Sequence, residues 1–267
     1  VTLHFRATVT DVAGNATVYS ESATAISVDV TAPSAFSISS YTTEGASVVS
    51  GYWNTTNTGL NLDIPVANDA SLVHTVDNFG QIQIQAQIDG GAWEDIGSAL
   101  DITTANTNEN IALLQSEMEA LTNFADGVDI ILRAEIRDDA GNITTSTYVD
   151  ETLINDLTLP AVFTTGLVES NAISFWNLVS ETMNVSIPIA NDASLENGSL
   201  DIYMGIDALS LENVYSAAIP AINTVQIEDI DSSIVEHITG FAETETIYTK
   251  AVIWDIAGNS STGIISA

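Results

Sequence analysis

The sequence predicts an all-β protein built as tandem antiparallel sandwich domains, and three observations carry that prediction. A five-residue signature, Asp-x-Ala-Gly-Asn, is written at Asp11–Asn15, Asp138–Asn142 and Asp255–Asn259. Each copy lies between runs that alternate apolar and polar residues, the pattern of a strand, a tight turn and a returning strand. The copies stand 127 and 117 residues apart, a domain's length. The block from Ile64 to Leu72 (Ile-Pro-Val-Ala-Asn-Asp-Ala-Ser-Leu) returns from Ile187 to Leu195 with one change, which marks a duplication.

Composition narrows the function classes. The 267 residues are 45% apolar, enough for cores in two domains of roughly 100 to 150 residues. Lys and Arg number 4 against 36 for Asp and Glu, a formal charge of −32. Such a chain lacks the phosphate-neutralising cations on which nucleic-acid affinity depends, and it is repelled by anionic membrane surfaces. Its natural small partners are cations. Cys is absent, which excludes a disulfide scaffold and a thiolate metal site. No apolar run is long enough for membrane insertion in this segment. The chain opens in mid-strand without Met, so we expect it to be an excerpt of a longer protein with any export signal upstream.

Taken in order, residues 1 to 10 place Phe5, Ala7 and Val9 on one face and Arg6, Thr8 and Thr10 on the other. The first hairpin and a second strand near Thr17 to Val30 follow. Two strands bury no core alone, so residues 1–30 read as the closing strand pair of a partial domain. A full domain is expected over 31–157 and another over 158–267. Thr31-Ala-Pro33-Ser-Ala-Phe36 is answered by Thr158-Leu-Pro160-Ala-Val-Phe163, and proline suits an edge strand entered from a linker. Trp53-Asn54 recurs as Trp176-Asn177. The alternating runs Ile82 to Ile88 and Leu200 to Ile206 follow in step.

Each domain is expected to insert one short helix. Ile111, Leu114, Met118 and Leu121 share a helical face in the first copy. Ile234, Val235 and Ile238 share one in the second, with Asp231 or Ser233 as cap and Gly240 as stop. The closing strands alternate Leu132, Ala134 and Ile136 with Arg133, Glu135 and Arg137, and Ala251 and Ile253 with Lys250, Val252 and Trp254. Arg6, Arg133 and Lys250 thus share one outward position, either for an ion pair across the sheet or on a solvated face. Short strands, turn signals and a proline-started first strand indicate a seven-stranded immunoglobulin-like sandwich.

The Asp-x-Ala-Gly-Asn hairpin, followed some eighteen residues later by an Asp-x-Thr-x-Pro linker, resembles the tandem bacterial immunoglobulin-like repeats of giant cell-surface adhesins, including biofilm-associated and RTX-type adhesins. The resemblance implies an extracellular, cell-surface location and Ca²⁺ that stiffens the junctions between repeats.

Strand parity yields a geometric expectation without the family. In an antiparallel sandwich the loops after strands two and six lie at the end where the linker enters. In the first full domain these are Asn68-Asp69 and the hairpin Asp138, Asp139 to Asn142, facing linker residue Asp29. In the second they are Asn191-Asp192 and Asp255 to Asn259, facing Asp156. Asp11 belongs to the corresponding end of the partial domain. Carboxylates converging on a junction repel one another unless a cation sits among them. Oxygen donors without Cys or His select a hard cation, and flexible multi-carboxylate loops suit Ca²⁺ better than Mg²⁺. The alternative is that these side chains only cap turns, with Gly14, Gly141 and Gly258 supplying the positive φ.

Other features point elsewhere less firmly. Trp53 and Trp176 read as core or strand-edge packing rather than a sugar platform. His4, His74 and His237 form no cluster and read as surface or helix-face residues. Acidic side chains abound without a cleft to pair them, so no enzyme is expected. Asn-x-Ser/Thr sequons occur at Asn15, Asn54, Asn142, Asn184, Asn197 and Asn259. The sequence therefore reads as a structural stretch of a surface adhesin, stalk or fibre. Its partners would be neighbouring domains of the same or adjacent chains, with any glycan or surface receptor bound elsewhere in the full protein. A self-assembling filament or surface layer and an accessory carbohydrate-binding module are the alternatives.

Overall fold

The computed structural model describes residues 2–21, 25–73, 80–147, 152–169 and 175–266. His74 lies outside the described residues. The chain is all-β, as its alternating runs require. Among the first thirty residues, β1 (Thr2–Leu3) pairs antiparallel with β4 (Ile26–Ser27), and β2 (Thr8–Thr10) with β3 (Ala16–Val18) across the first hairpin. Phe5, Val9, Val18 and Tyr19 are exposed there, in keeping with strands too few to enclose a core.

The next stretch supplies β5 (Ser40–Gly45), β6 (Tyr52–Asn54), β7 (Asn57–Pro65), β8 (Gln81–Ile88), β9 (Glu94–Asp101), β10 (Asn108–Leu114), helix α1 (Gln115–Met118), β11 (Asp129–Arg137), β12 (Ile143–Thr145) and β13 (Leu153–Asp156). One sheet runs β10-β7-β5, the other β6-β13-β11-β8-β9 with β12 beside β11. Burial alternates along β8 and β11, so Ile82, Ile84, Ala86, Leu132, Ala134 and Ile136 face the core.

Among the described residues the last stretch is a seven-stranded sandwich. β14 (Gly166–Glu169), β15 (Thr182–Ile189) and β18 (Thr224–Asp231) form one sheet in that order. β17 (Glu212–Ala218), β16 (Ser199–Gly205), β19 (Tyr248–Trp254) and β20 (Ser260–Thr262) form the other. Met183, Val185 and Ile187 from the first sheet meet Leu200, Ile202, Ala251 and Ile253 from the second in one apolar cluster. Burial of each of the larger of these side chains stabilises the sandwich by about 1.5–3 kcal/mol. Helix α2 (Ser232–Val235) closes one end, with Val235 and Ile238 buried.

Contact density divides the chain into two compact units. One comprises Val1–Tyr41, Asn61–Thr122 and Ile131–Asp150; the other comprises Thr42–Leu60, Asn123–Ile130 and Glu151–Ala267.

The first helix differs from the expectation. Ile111 and Leu114 belong to β10, and only a single turn, Gln115–Met118, is helical. Ile111 and Leu113 are buried while Leu114 is exposed, which is the strand period of two. A short apolar run fits both periods, and pairing in a sheet decided for the strand. In the second copy Asp231 does cap the helix, accepting from the Ser233 N–H, and Gly240 has φ 82°.

Two of the three outward cations, Arg133 and Lys250, lie over aromatic rings. Arg133 donates to Gln85 Oε1 at 2.7 Å and lies 4.1 Å from the centre of the Trp93 ring, with Glu135 at 3.8 Å. Lys250 lies 5.1 Å from the centre of the Tyr203 ring. At both positions an aromatic face receives the charge, a partner that charge counting alone does not suggest. Trp53 is 1% exposed and meets Phe124 edge-on at 6.5 Å, so it packs in the core as expected. Trp176 is half-buried against the second sandwich's core and donates to Glu236 Oε1 at 3.3 Å.

Candidate functional site

The three hairpins are built alike. Asp11 Oδ1 accepts from the N–H of Ala13 at 2.9 Å and of Asn15 at 2.8 Å, while Asn15 Nδ2 donates to Asp11 Oδ2 at 2.8 Å. Asp255 Oδ1 accepts from Ala257 at 3.0 Å and Asn259 at 2.8 Å, and Asn259 Nδ2 donates to Asp255 Oδ2 at 3.1 Å. Asp138 and Asn142 repeat the clasp at 2.8 and 2.9 Å. The glycines sit at φ 89°, 91° and 90°, a region that an L side chain rarely occupies. The signature is therefore first a self-contained turn: Asp caps it, Asn closes it and Gly bends it.

The turn then reaches the two segments that strand parity places beside it. Asn142 Nδ2 donates to the carbonyls of Thr31 at 3.4 Å and Asp29 at 3.5 Å, and Asn259 Nδ2 to the carbonyl of Asp156 at 3.1 Å. The loop after strand two arrives as a one-turn 3₁₀ segment, Ala70–Leu72 or Ala193–Leu195. Asp69 caps the first of these, accepting from the Ser71 N–H and hydroxyl; Asp192 does the same for Ser194. The hairpin bonds it through Asp139 N–H to Ser71 O at 3.0 Å and Ile256 N–H to Ser194 O at 2.9 Å. Linker, hairpin and loop thus converge in both copies.

Electrostatics single out the second copy. Asp156 is pushed up to about 6 by burial, then by Asp255, with Asp126 and Asp192 adding smaller repulsions against the Thr158 N–H. Burial raises Asp255 too, against the hydrogen bonds that it receives from Asn259 and Ala257. Asp126 is held low by the Thr158 hydroxyl and the Leu157 N–H, at 2.6 Å each. Asp11, in the open first hairpin, is lowered by Asn15.

Three members of this site are not marked by any motif. Asp126 lies on the turn before β11, where only its neighbour Gly127 at φ 79° hinted at a special backbone. Asn54 and Thr55 lie against the Asp255 hairpin, and the recurrence of Trp-Asn was the available signal. Asn54 Nδ2 donates to Ala257 O at 2.7 Å; the Thr55 N–H and hydroxyl donate to Asn259 Oδ1 at 2.9 and 2.8 Å. Asn54 and Asn259 are 1% and 0% exposed, which makes these two sequons incompatible with a glycan in the folded chain.

The donor set fits a hard cation in kind, because every side chain at the convergence offers oxygen and Asn155 beside it buries an amide oxygen with no donor among the described residues. Among the described residues no three acidic or His side chains already stand at metal-holding spacing. Asn259 carries four hydrogen bonds on its amide, so a cation taking its oxygen would have to replace those from Thr55.

No family model matches the chain, and no curated protein matches it. Among solved structures it is similar to the crystal structure of the FN1–FN3 domains of chicken CNTN1, at 11% identity and a TM-score of 0.43 over 99% of this chain and 75% of that one. The sandwich fold is given by the strand pairing and burial described above. Among the described residues no helix is long and apolar enough to cross a membrane.

Proposed function

We propose that the chain is a non-enzymatic structural stretch of tandem immunoglobulin-like domains from an extracellular adhesin, stalk or fibre, stiffened by Ca²⁺ where a linker enters a sandwich. The observation that carries this reading is the convergence of linker, hairpin and 3₁₀ loop in both copies, with the carboxylate of Asp156 pushed up to about 6 among Asp255, Asp126 and Asp192. A divalent cation supplies the positive charge that lets these groups stay ionised together.

Asp156, Asp255, Asp192 and Asp126 would hold it in the second copy, and Asp29, Asp69, Asp138 and Asp139 in the first. At the roughly 10⁻⁴–10⁻³ M affinities of extracellular modules, Ca²⁺ outside a cell keeps such joints filled. The aromatic platform needed by a carbohydrate module is weakened by the burial of Trp53.

Small-angle scattering and thermal unfolding with Ca²⁺ or chelator test the proposal. We expect Ca²⁺ to raise Tm and narrow the distribution of molecular lengths, with Mg²⁺ weaker. Identical melting and length in chelator would refute it.

A further inference from the structure

We propose that Asn197 is a modification site, the acceptor of an N-linked sugar, and that it alone among the six Asn-x-Ser/Thr sequons is built to react readily in the folded chain. The other five are engaged by the fold. Asn54 and Asn259 are 1% and 0% exposed, and both spend their amide nitrogens on main-chain carbonyls. Asn15 and Asn142 hold their hairpins closed, donating from Nδ2 to the Asp11 carboxylate at 2.8 Å and to the Asp138 carboxylate at 2.9 Å. Asn184 stands half-buried in mid-β15, paired to β14 on one side and β18 on the other, with its Oδ1 accepting from the Thr182 hydroxyl at 3.3 Å.

Asn197 differs on each count. It is exposed, and its side chain makes no hydrogen bond among the described residues. It sits at the corner of a tight turn closed by the Gly198 N–H on Leu195 O at 3.0 Å. Glu196 at φ −66°, ψ 122° and Asn197 at φ 68° are the central residues of a type II turn, whose second corner Asn tolerates better than most L residues. The main chain holds this shape by itself, since the Asn197 N–H also bonds Ile219 O at 3.1 Å. The rest of the sequon suits the same role. Gly198 is buried, and a Cβ there would stand 2.3 Å from Trp254 O, so packing keeps the middle residue small; Ser199, whose hydroxyl completes the sequon, is exposed. The first copy reads Phe79-Gly80-Gln81 at these places, so this acceptor is a feature of the second copy.

The sugar donor is a glycosyl diphosphate, carried on a nucleotide or on a lipid and brought by a transferase. The bond from Nδ2 to the anomeric carbon forms as the bond from that carbon to the diphosphate oxygen breaks. The diphosphate leaves with the electron pair, and the amide gives one proton to a base of the transferase. At Asn15 or Asn142 the same step must first give up a hydrogen bond to a carboxylate, which slows it on the order of tenfold.

Two measurements test the site, and neither involves the carboxylates of the calcium proposal. The folded chain is incubated with a soluble N-glycosyltransferase and a nucleotide-linked hexose, or with a membrane oligosaccharyltransferase and a lipid-linked oligosaccharide, and the sugar is located by peptide mass spectrometry. Chain recovered from the cells that make it is mapped in the same way, and the size of its sugar distinguishes the two donors. We expect the native chain to carry sugar at Asn197. In the incubations Asn197 should be labelled first, Asn15 and Asn142 on the order of tenfold more slowly, and buried Asn54 and Asn259 not at all. Asn197→Gln and Ser199→Ala should abolish the label at this turn and Ser199→Thr should keep it, each with unchanged circular dichroism. A bare Asn197 in the native chain, or labelling of Asn15 or Asn142 as fast as Asn197, overturns the proposal.

Discussion

Asn259 accepts two hydrogen bonds from Thr55, 2.9 Å from the main-chain N–H and 2.8 Å from the hydroxyl, across 204 residues of sequence. The same amide donates to Asp255 and to the carbonyl of Asp156. A single buried side chain therefore ties together the hairpin, the linker and a distant loop. Asn259→Ala leaves buried donors and acceptors unpaired at each of these places, and it should cost about 3 kcal/mol in urea unfolding. Asn142→Ala, at the part-exposed equivalent with longer bonds, should cost about 1 kcal/mol. Equal costs would mean that the reach to Thr55 contributes nothing.

Glycine substitutions separate backbone strain from close packing. Gly141 and Gly258 share φ near 90°, so alanine strains both backbones alike. At Gly141 the new methyl meets only Arg137 Nε at 4.0 Å, whereas at Gly258 it collides with Ser47, Val49 and Asn54. Gly258→Ala should therefore be the more destabilising by about 1–3 kcal/mol, read as a difference in denaturant midpoint at constant slope. Matching midpoints would contradict the packing around Gly258.

Asp156 makes stability depend on pH in a defined direction. Its folded pKa of about 6 lies above the ordinary 3.8, so the folded chain holds this proton more tightly than the unfolded one. The resulting stability is fully present below about pH 4 and is lost as pH rises through about 6. Asp255, also raised, acts in the same direction. Without added cation, Tm should fall between pH 4 and 7, and Asp156→Asn should flatten that fall. A Tm that rises over this interval, with no difference between wild type and variant, would contradict the assignment.

Much of the joint was legible because it is written by local rules. Asp, Gly and Asn at fixed offsets make a turn wherever they occur, since capping and positive φ are properties of a few consecutive residues. Strand parity then places the Asp138–Asn142 hairpin at the linker carrying Asp29, and the Asp255–Asn259 hairpin at Asp156, from nothing more than the alternation of strand direction, and Asn142 and Asn259 do donate to those linkers. The first helix was misjudged because Ile111, Leu114, Met118 and Leu121 fit a helical period while Ile111 and Leu113 fit a strand, and only pairing within the sheet distinguishes them.

What the sequence by itself determined is the all-β architecture, the duplication, the three hairpins and the meeting of each full domain's hairpin with its linker, because periodicity and turn chemistry are local and parity follows from counting strands. The tertiary structure alone decided that Asn259 spends its amide oxygen on Thr55, that Asp126 joins Asp156 and Asp255, and that Arg133 and Lys250 lie over aromatic rings. These are relationships between residues tens to hundreds of positions apart. They depend on which side chain fills a particular space and how far it is removed from water, and neither is encoded in any short stretch of the chain.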